Sequence, residues 1–266
     1  MTALMYLVRD RRCEEIPFLK KWKTNFNFIN SRNESGIFIL VHQYYKYYQE
    51  NDFDVLKSYI NIIRILVDKG CDFNTVIDEE GNTAFMFFLW LQDWNTVVYL
   101  LLYHKNLNSQ KSNINGINTI LLCGMFKKNE ASETSNIDIQ SLIKLCLKSI
   151  ELNVNVIYND YNILMLSIIN NNWECVNYLS RKNIELINQV NDKKETPLII
   201  ASKLGHKDII KVILLYFIKE VNLNHDELGN TALHYALELS DKYIINNLAF
   251  HHVNLNIKNN KGKSPI

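Results

Sequence analysis

Residues Asn191–Asn224 read NDKKETPLIIASKLGHKDIIKVILLYFIKEVNLN, and this stretch decides the fold. Polar Asn191-Asp192-Lys193-Lys194-Glu195 makes a turn. Thr196 is placed to cap a helix, and Pro197 takes the first helical position, where a missing N–H costs nothing. Ile199, Ile200, Ala201 and Leu204 carry that helix to a stop at Gly205-His206. Ile209, Ile210, Val212, Ile213, Leu214 and Phe217 give a second, more apolar helix at three-to-four spacing. Val221-Asn222-Leu223-Asn224 returns as extended chain. Two short helices cannot cover their own apolar face, so the unit needs copies of itself on either side.

Glu195-Thr196-Pro197-Leu198, Ala201, Gly205-His206 and Ile209-Ile210 resemble the ankyrin repeat, a β-turn and two antiparallel helices in about 33 residues. The pattern recurs: Gly-Asn-Thr-Ala stands at 81–84 and again at 229–232. Capping positions are expected at Thr83, Thr119, Ile163, Thr196, Thr231 and Ser264, the last three intervals being 33, 35 and 33 residues. The resemblance covers the chain and implies an all-α fold. It would be an ankyrin-repeat solenoid of about seven helix-turn-helix repeats, with short β-turn hairpins and two insertions. As one domain over 1–266, its repeats fall at 31–74, 78–110, 113–156, 159–190, 191–224 and 226–256, with partial repeats at 1–30 and 258–266. Because both ends cut a repeat, the chain reads as a fragment of a larger protein.

The less regular repeats depart in definable ways. Gly36–Leu40 opens the second, whose second helix is expected at Ile60–Lys69. About a dozen extra residues around Tyr44–Asp52 are expected to lengthen its first helix and loop. In the fourth, Gly116 stands one place from its expected position before Thr119. The polar run Lys127–Asn136 reads as a solvated insertion, ahead of a second helix at Ile139–Ile150. The fifth, opening at Asn162-Ile163, lacks both the turn glycine and the cap threonine. Small Ala201 and Ala236 let neighbouring first helices approach, so Phe88 and Leu89 in the third repeat imply looser packing or a locally splayed stack.

Composition narrows the function. Lysine plus arginine number 29 against 28 acidic residues, a net +1, which gives no basic footprint for nucleic acid. No apolar run reaches the ~18 residues of a membrane span, and no signal peptide is visible. Cys13, Cys71, Cys123, Cys146 and Cys175 stand singly, without Cys-x-x-Cys spacing. That argues against a disulfide framework and a zinc site, and for small buried side chains in a reducing compartment. The compartment is therefore expected to be cytoplasmic or nuclear. There is no Gly-x-Ser-x-Gly, no nucleotide-binding glycine loop and no His-Glu-x-x-His. No cofactor, metal or catalytic residue is expected. His251-His252 point apart on a helix and read as a helix-end turn. The resemblance implies that His206 and His234 hydrogen-bond neighbouring backbone. Acidic Asp78-Glu79-Glu80 and Asp226-Glu227 fall on hairpin tips, where aspartate serves turn chemistry.

What remains is recognition. In the ankyrin architecture, hairpins and first helices line a concave face that chooses a protein partner. That register selects Phe87, Trp90, Leu91 and Trp94 in the third repeat, Phe126 in the fourth, Leu204 in the sixth, and Tyr235 and Leu239 in the seventh. Tip residues Asp78, Glu79, Glu80, Lys193, Lys194, Asp226 and Glu227 would form a polar rim. The large aromatic group either serves an interface or is covered by the lengthened helix around Tyr44–Tyr48. The function expected is a non-catalytic protein-binding module of a larger intracellular regulator, with a monomer favoured. The alternatives are a viral or bacterial effector that binds host proteins, and a targeting domain of a multidomain enzyme or of a trafficking or transcription regulator.

Overall fold

The computed structural model describes residues 2–12, 14–16, 25–104, 106–108, 110–125, 156–216, 225–251 and 254–265. Among these, regular structure is thirteen helices and one short hairpin. The chain divides into two compact units, residues 2–119 and 120–265 of the described set. The expected insertion at Lys127–Asn136 and helix at Ile139–Ile150 lie outside the described residues.

The first unit holds α1 (Ala3–Arg9), α2 (Gly36–Gln49), α3 (Phe53–Asp68), α4 (Ala84–Trp90) and α5 (Trp94–Tyr103). Its inner row is α1, α2 and α4, with α2 packed on both neighbours; α3 and α5 form the outer row. Leu40, Tyr59, Ile62, Leu66, Phe85 and Phe88 are wholly or nearly wholly buried between the rows. Each large apolar side chain so buried contributes about 1.5–3 kcal/mol.

The second unit receives α6 (Thr119–Met125) from Ile120 onward, then α7 (Ile163–Ile169), α8 (Trp173–Lys182) and α9 (Glu185–Asn188). It continues with α10 (Pro197–Leu204), α11 (Lys207–Tyr216), α12 (Ala232–Glu238) and α13 (Lys242–Phe250). Strands β1 (Ile157–Tyr158) and β2 (Tyr161–Asn162) pair antiparallel just before α7. The inner row runs α7, α10, α12, and the outer row α8, α11, α13. At α6, a Cβ on Gly124 would lie 3.0 Å from the Ile163 carbonyl and 3.1 Å from Ser167 Oγ, so α6 and α7 meet almost backbone to backbone.

Two backbone positions repeat in both units. The residue two before each cap is left-handed: Asn33, Gly81, Gly116, Asp160, Lys194, Gly229 and Gly262. The residue nine after the cap is also left-handed, at Arg11, Gln92, Asn171, Gly205 and Ser240. The first closes the hairpin, and the second ends the inner helix and turns the chain into the outer one. Caps are chemically sound. Thr2, Ser35, Thr83, Asn162 and Thr196 each accept an N–H from three residues on.

The hairpins are closed and then joined. An Asn or Asp five residues before the cap accepts the N–H of the residue just before the cap. Asn30, Asp78, Asn113, Asn191, Asp226 and Asn259 all do this. Between hairpins one backbone bond recurs in the same register: Ile114 N–H to Glu80 O at 2.8 Å, Glu227 N–H to Lys193 O at 3.1 Å, and Asn260 N–H to Leu228 O at 3.0 Å. Side-chain amides add a second rung, Asn113 to Asn82 (2.9 Å) and Asn259 to Asn230 (2.8 Å).

This geometry corrects three expectations. The fifth repeat's cap is Asn162 and not Ile163; its side chain accepts from the Met165 N–H at 2.9 Å. α6 starts at Thr119, which puts Asn118 in the cap place, so left-handed Gly116 is in register after all. In the second repeat the extra residues lengthen both helices and leave the loop short. α2 has 14 residues against 7 in α4, and α3 has 16 against 10 in α5. Seven residues are close to two full turns, so the apolar stripe of α2 keeps its direction. Phe88, at the small-residue position, is fully buried, its ring edge-on to Tyr44 at 5.2 Å.

Gly229 and Gly262 separate the conformational cost of the tip from its stacking cost. Both are left-handed, but a Cβ on Gly229 would lie 2.8 Å from Asn260 N, whereas one on Gly262 would meet nothing within 4 Å. Gly262→Ala is expected to cost about 1–2 kcal/mol for the left-handed backbone alone. Gly229→Ala should cost a further ~1–3 kcal/mol, measured by urea unfolding, because the neighbouring hairpin has to move.

Candidate functional site: the inner-helix and hairpin faces

In the first unit the candidate residues cluster at the end of α4. Trp90 is 56% exposed and Leu91 8%. Phe87 and Trp94 are half-buried. The two-turn extension of α2 supplies the contacts. Tyr45 lies edge-on to Phe87 with ring centres 5.7 Å apart, and tilted against Trp90 at 6.2 Å. Tyr44 donates from its hydroxyl to Asp93 at 2.7 Å, and Tyr48 to the Leu91 carbonyl at 3.3 Å. Burial, then the Asp93 carboxylate, pushes the Tyr44 phenol well above its ordinary range. The lengthened helix thus covers the root of the aromatic group and leaves its tip, Trp90, open. Asp78, Glu79 and Glu80 are exposed on the adjoining hairpin. The Asn82 amide bridges Asp78 Oδ2 (2.8 Å) and Glu80 Oε2 (3.3 Å).

In the second unit Leu204 and Leu239 are 46% and 48% exposed at the ends of α10 and α12. Leu239 lies beside Gly205, the left-handed cap of α10. Beneath them runs a partly buried polar chain. Lys203 donates to Glu195 Oε1 at 3.0 Å and stands over the Tyr235 ring at 5.5 Å. Tyr235 donates to Asp226, whose other oxygen accepts the N–H groups of Leu228 and Asn230. The Glu195 bond is the main cause that holds the Lys203 ammonium above its usual range. Tyr235 and Asp226 are therefore buried, whereas Lys193, Lys194 and Glu227 stand exposed. Phe126 lies outside the described residues.

One residue of this face was missed. Ile169 is 38% exposed, seven residues after its cap, the same place that Trp90 holds after Thr83. Setting the cap at Ile163 shifts the register by one and hides it. The histidines divide. His234 Nδ1 accepts the Thr231 N–H, and its Nε2–H donates to the Lys263 carbonyl, each at 3.1 Å, which ties the seventh hairpin to the eighth. His206 departs from the expected role: its Nε2 is buried with no hydrogen-bond partner among the described residues. His251 ends α13, and His252 lies outside the described residues. Cys71, Cys123 and Cys175 are buried, and burial pushes the Cys71 thiol up to about 12.

Comparison with known proteins agrees with this geometry. A model of ankyrin repeats (3 copies) matches residues 129–218 and 164–259. An ankyrin repeat protein of fowlpox virus (strain NVSL), FPV031, is 33% identical over 109 residues, which are 40% of this chain and 32% of that protein. The chain therefore aligns with about a third of that relative's length. The chain thus carries ankyrin repeats, whose fold is a non-catalytic scaffold for protein–protein interaction. Among the described residues no helix is long and apolar enough to cross a membrane.

Buried His206 is expected to lower the stability of the second unit in acid. Burial lowers its pKa below the ordinary 6.5, so the unfolded chain binds the proton more readily than the folded one. Stability is therefore complete above that value and falls as pH drops through it towards the folded pKa. His206→Phe should flatten this limb in urea midpoints taken from pH 7 downward.

Proposed function

We propose that the chain captures a protein partner on the exposed ends of its inner helices and on its hairpin tips. The observation that carries this reading is the placement of Trp90, Leu204 and Leu239. Each large apolar side chain stands about half-exposed at an inner helix end, while the scaffold's own needs are met by buried residues. Tryptophan is enriched where interfaces concentrate their energy, and a pre-built helical scaffold leaves little ordering cost for association. The exposed rim residues, Glu79, Glu80, Lys193, Lys194 and Glu227, would set orientation and rate more than affinity.

Within that reading we favour an effector that binds a host protein, because the similar ankyrin protein is a poxvirus product. A recognition module of a larger cytoplasmic or nuclear regulator would use the same surfaces. The two differ in the partner captured and in the sequences joined to the chain.

Site-specific photo-crosslinking separates the faces. A benzophenone side chain at Trp90, Leu204 or Leu239 is expected to yield partner adducts in cells, and one at outer-row Leu102 or Lys211 is not. Adducts from the outer row alone would reverse the assignment. Trp90→Ala with Trp94→Ala should reduce capture through the first unit with the helical circular dichroism unchanged.

A further inference from the structure

The aromatic face of the first unit has a chemistry of its own. Trp90 occupies the place that is Lys203 in the sixth repeat and Glu238 in the seventh. The scaffold accepts polar residues there, so packing does not require an indole. The ring is nevertheless held in place, tilted against Tyr45, which is itself locked edge-on to Phe87. Elsewhere this chain satisfies such rings with its own cations: Lys203 over Tyr235 at 5.5 Å, Arg64 over Tyr99 at 5.7 Å and Arg11 over Tyr47 at 5.5 Å. Lys46, on the same helix as Tyr45, stands over Tyr47 and not over Trp90. Among the described residues no cation covers the Trp90 ring.

The charge beside this ring matches. Asp78, Glu79 and Glu80 are three consecutive exposed carboxylates on the hairpin of the same repeat. Among the described residues no lysine or arginine pairs with any of them. Arg32 stands on the preceding hairpin and Lys111, which donates to the Asn74 carbonyl at 2.9 Å, just before the following one; against the three carboxylates the balance stays negative. Between ring and carboxylates lie α4, whose 7 residues rise about 10 Å, and the hairpin residues Gly81–Thr83. Extended peptide rises ~3.3 Å per residue, so about three to four residues run the length of α4 and a few more reach the carboxylates.

We propose that this face binds an arginine-bearing extended segment of the partner, one guanidinium stacked on Trp90 and further cations at Asp78–Glu80. The proposal rests on the inner-face reading given above. Arginine suits it better than lysine, because its planar, weakly hydrated group both stacks on an aromatic face and forks onto carboxylates.

The test is fluorescence anisotropy of the full chain with four labelled glycine-serine peptides carrying arginine, lysine, citrulline or glutamate at the same spacing. The arginine peptide should bind tightest, and the uncharged citrulline peptide should be weaker by roughly tenfold or more. Trp90→Ala and Glu79→Gln/Glu80→Gln should each cost a similar factor, and Trp90→Phe should retain most of the binding. Equal binding of citrulline or glutamate peptide, or indifference to these substitutions, would overturn the proposal. So would a doubled sedimentation mass abolished by Trp90→Ala, which would make a second copy the occupant. If crosslinks from Trp90 still reach a natural partner while no arginine peptide binds, only this inference fails. If neither occurs, the reading of the first unit's face fails with it.

Discussion

At three junctions a single backbone hydrogen bond sets the spacing of neighbouring repeats. The N–H four residues before one cap reaches the carbonyl three residues before the previous cap, and the same geometry appears at Ile114, Glu227 and Asn260. It can form only if each tip is closed and left-handed at one fixed place. It also aligns successive inner helices so that their small or well-fitted residues meet. Burial between the rows supplies most of the stabilisation, but it is non-directional. The tip ladder supplies the direction, and through it the faces on which the exposed residues stand.

The sequence displays this constraint where glycine and threonine mark it. Gly81, Gly229 and Gly262 announce left-handed tips, and Thr83, Thr196 and Thr231 precede the helices that they begin. The constraint is hidden where another residue does the same work. Asn33, Asp160 and Lys194 adopt the left-handed tip without being glycine, and Gln92 and Ser240 end their inner helices in the same way. Asn162 caps as well as threonine would, since both present a side-chain oxygen to the N–H three residues on. A reading keyed to threonine therefore slips by one residue there, and with it the exposed place of Ile169.

The extension of the second repeat was visible as extra length but not as extra helix. An insertion close to two turns preserves the apolar phase, so periodicity alone does not show which element has grown. The exposure of the aromatic group depended on that length. Tyr44 and Tyr48 reach Asp93 and Leu91 only because α2 runs two turns past the usual end, and Tyr45 then meets Trp90 from the side. The group is thus neither wholly core nor wholly surface. Its buried part orders its exposed part, which is the arrangement that lowers the entropic cost of recognition.

Where they form, the tip bonds fix the scaffold on which the binding faces are built. Amide hydrogen exchange of the full chain at neutral pH tests it most directly. The amides of Ile114, Glu227 and Asn260 lie on exposed hairpins, yet, held by the tip bonds, they should show protection well above that of unstructured chain. Exchange of all three at the unstructured rate, with the helices still protected, would contradict it.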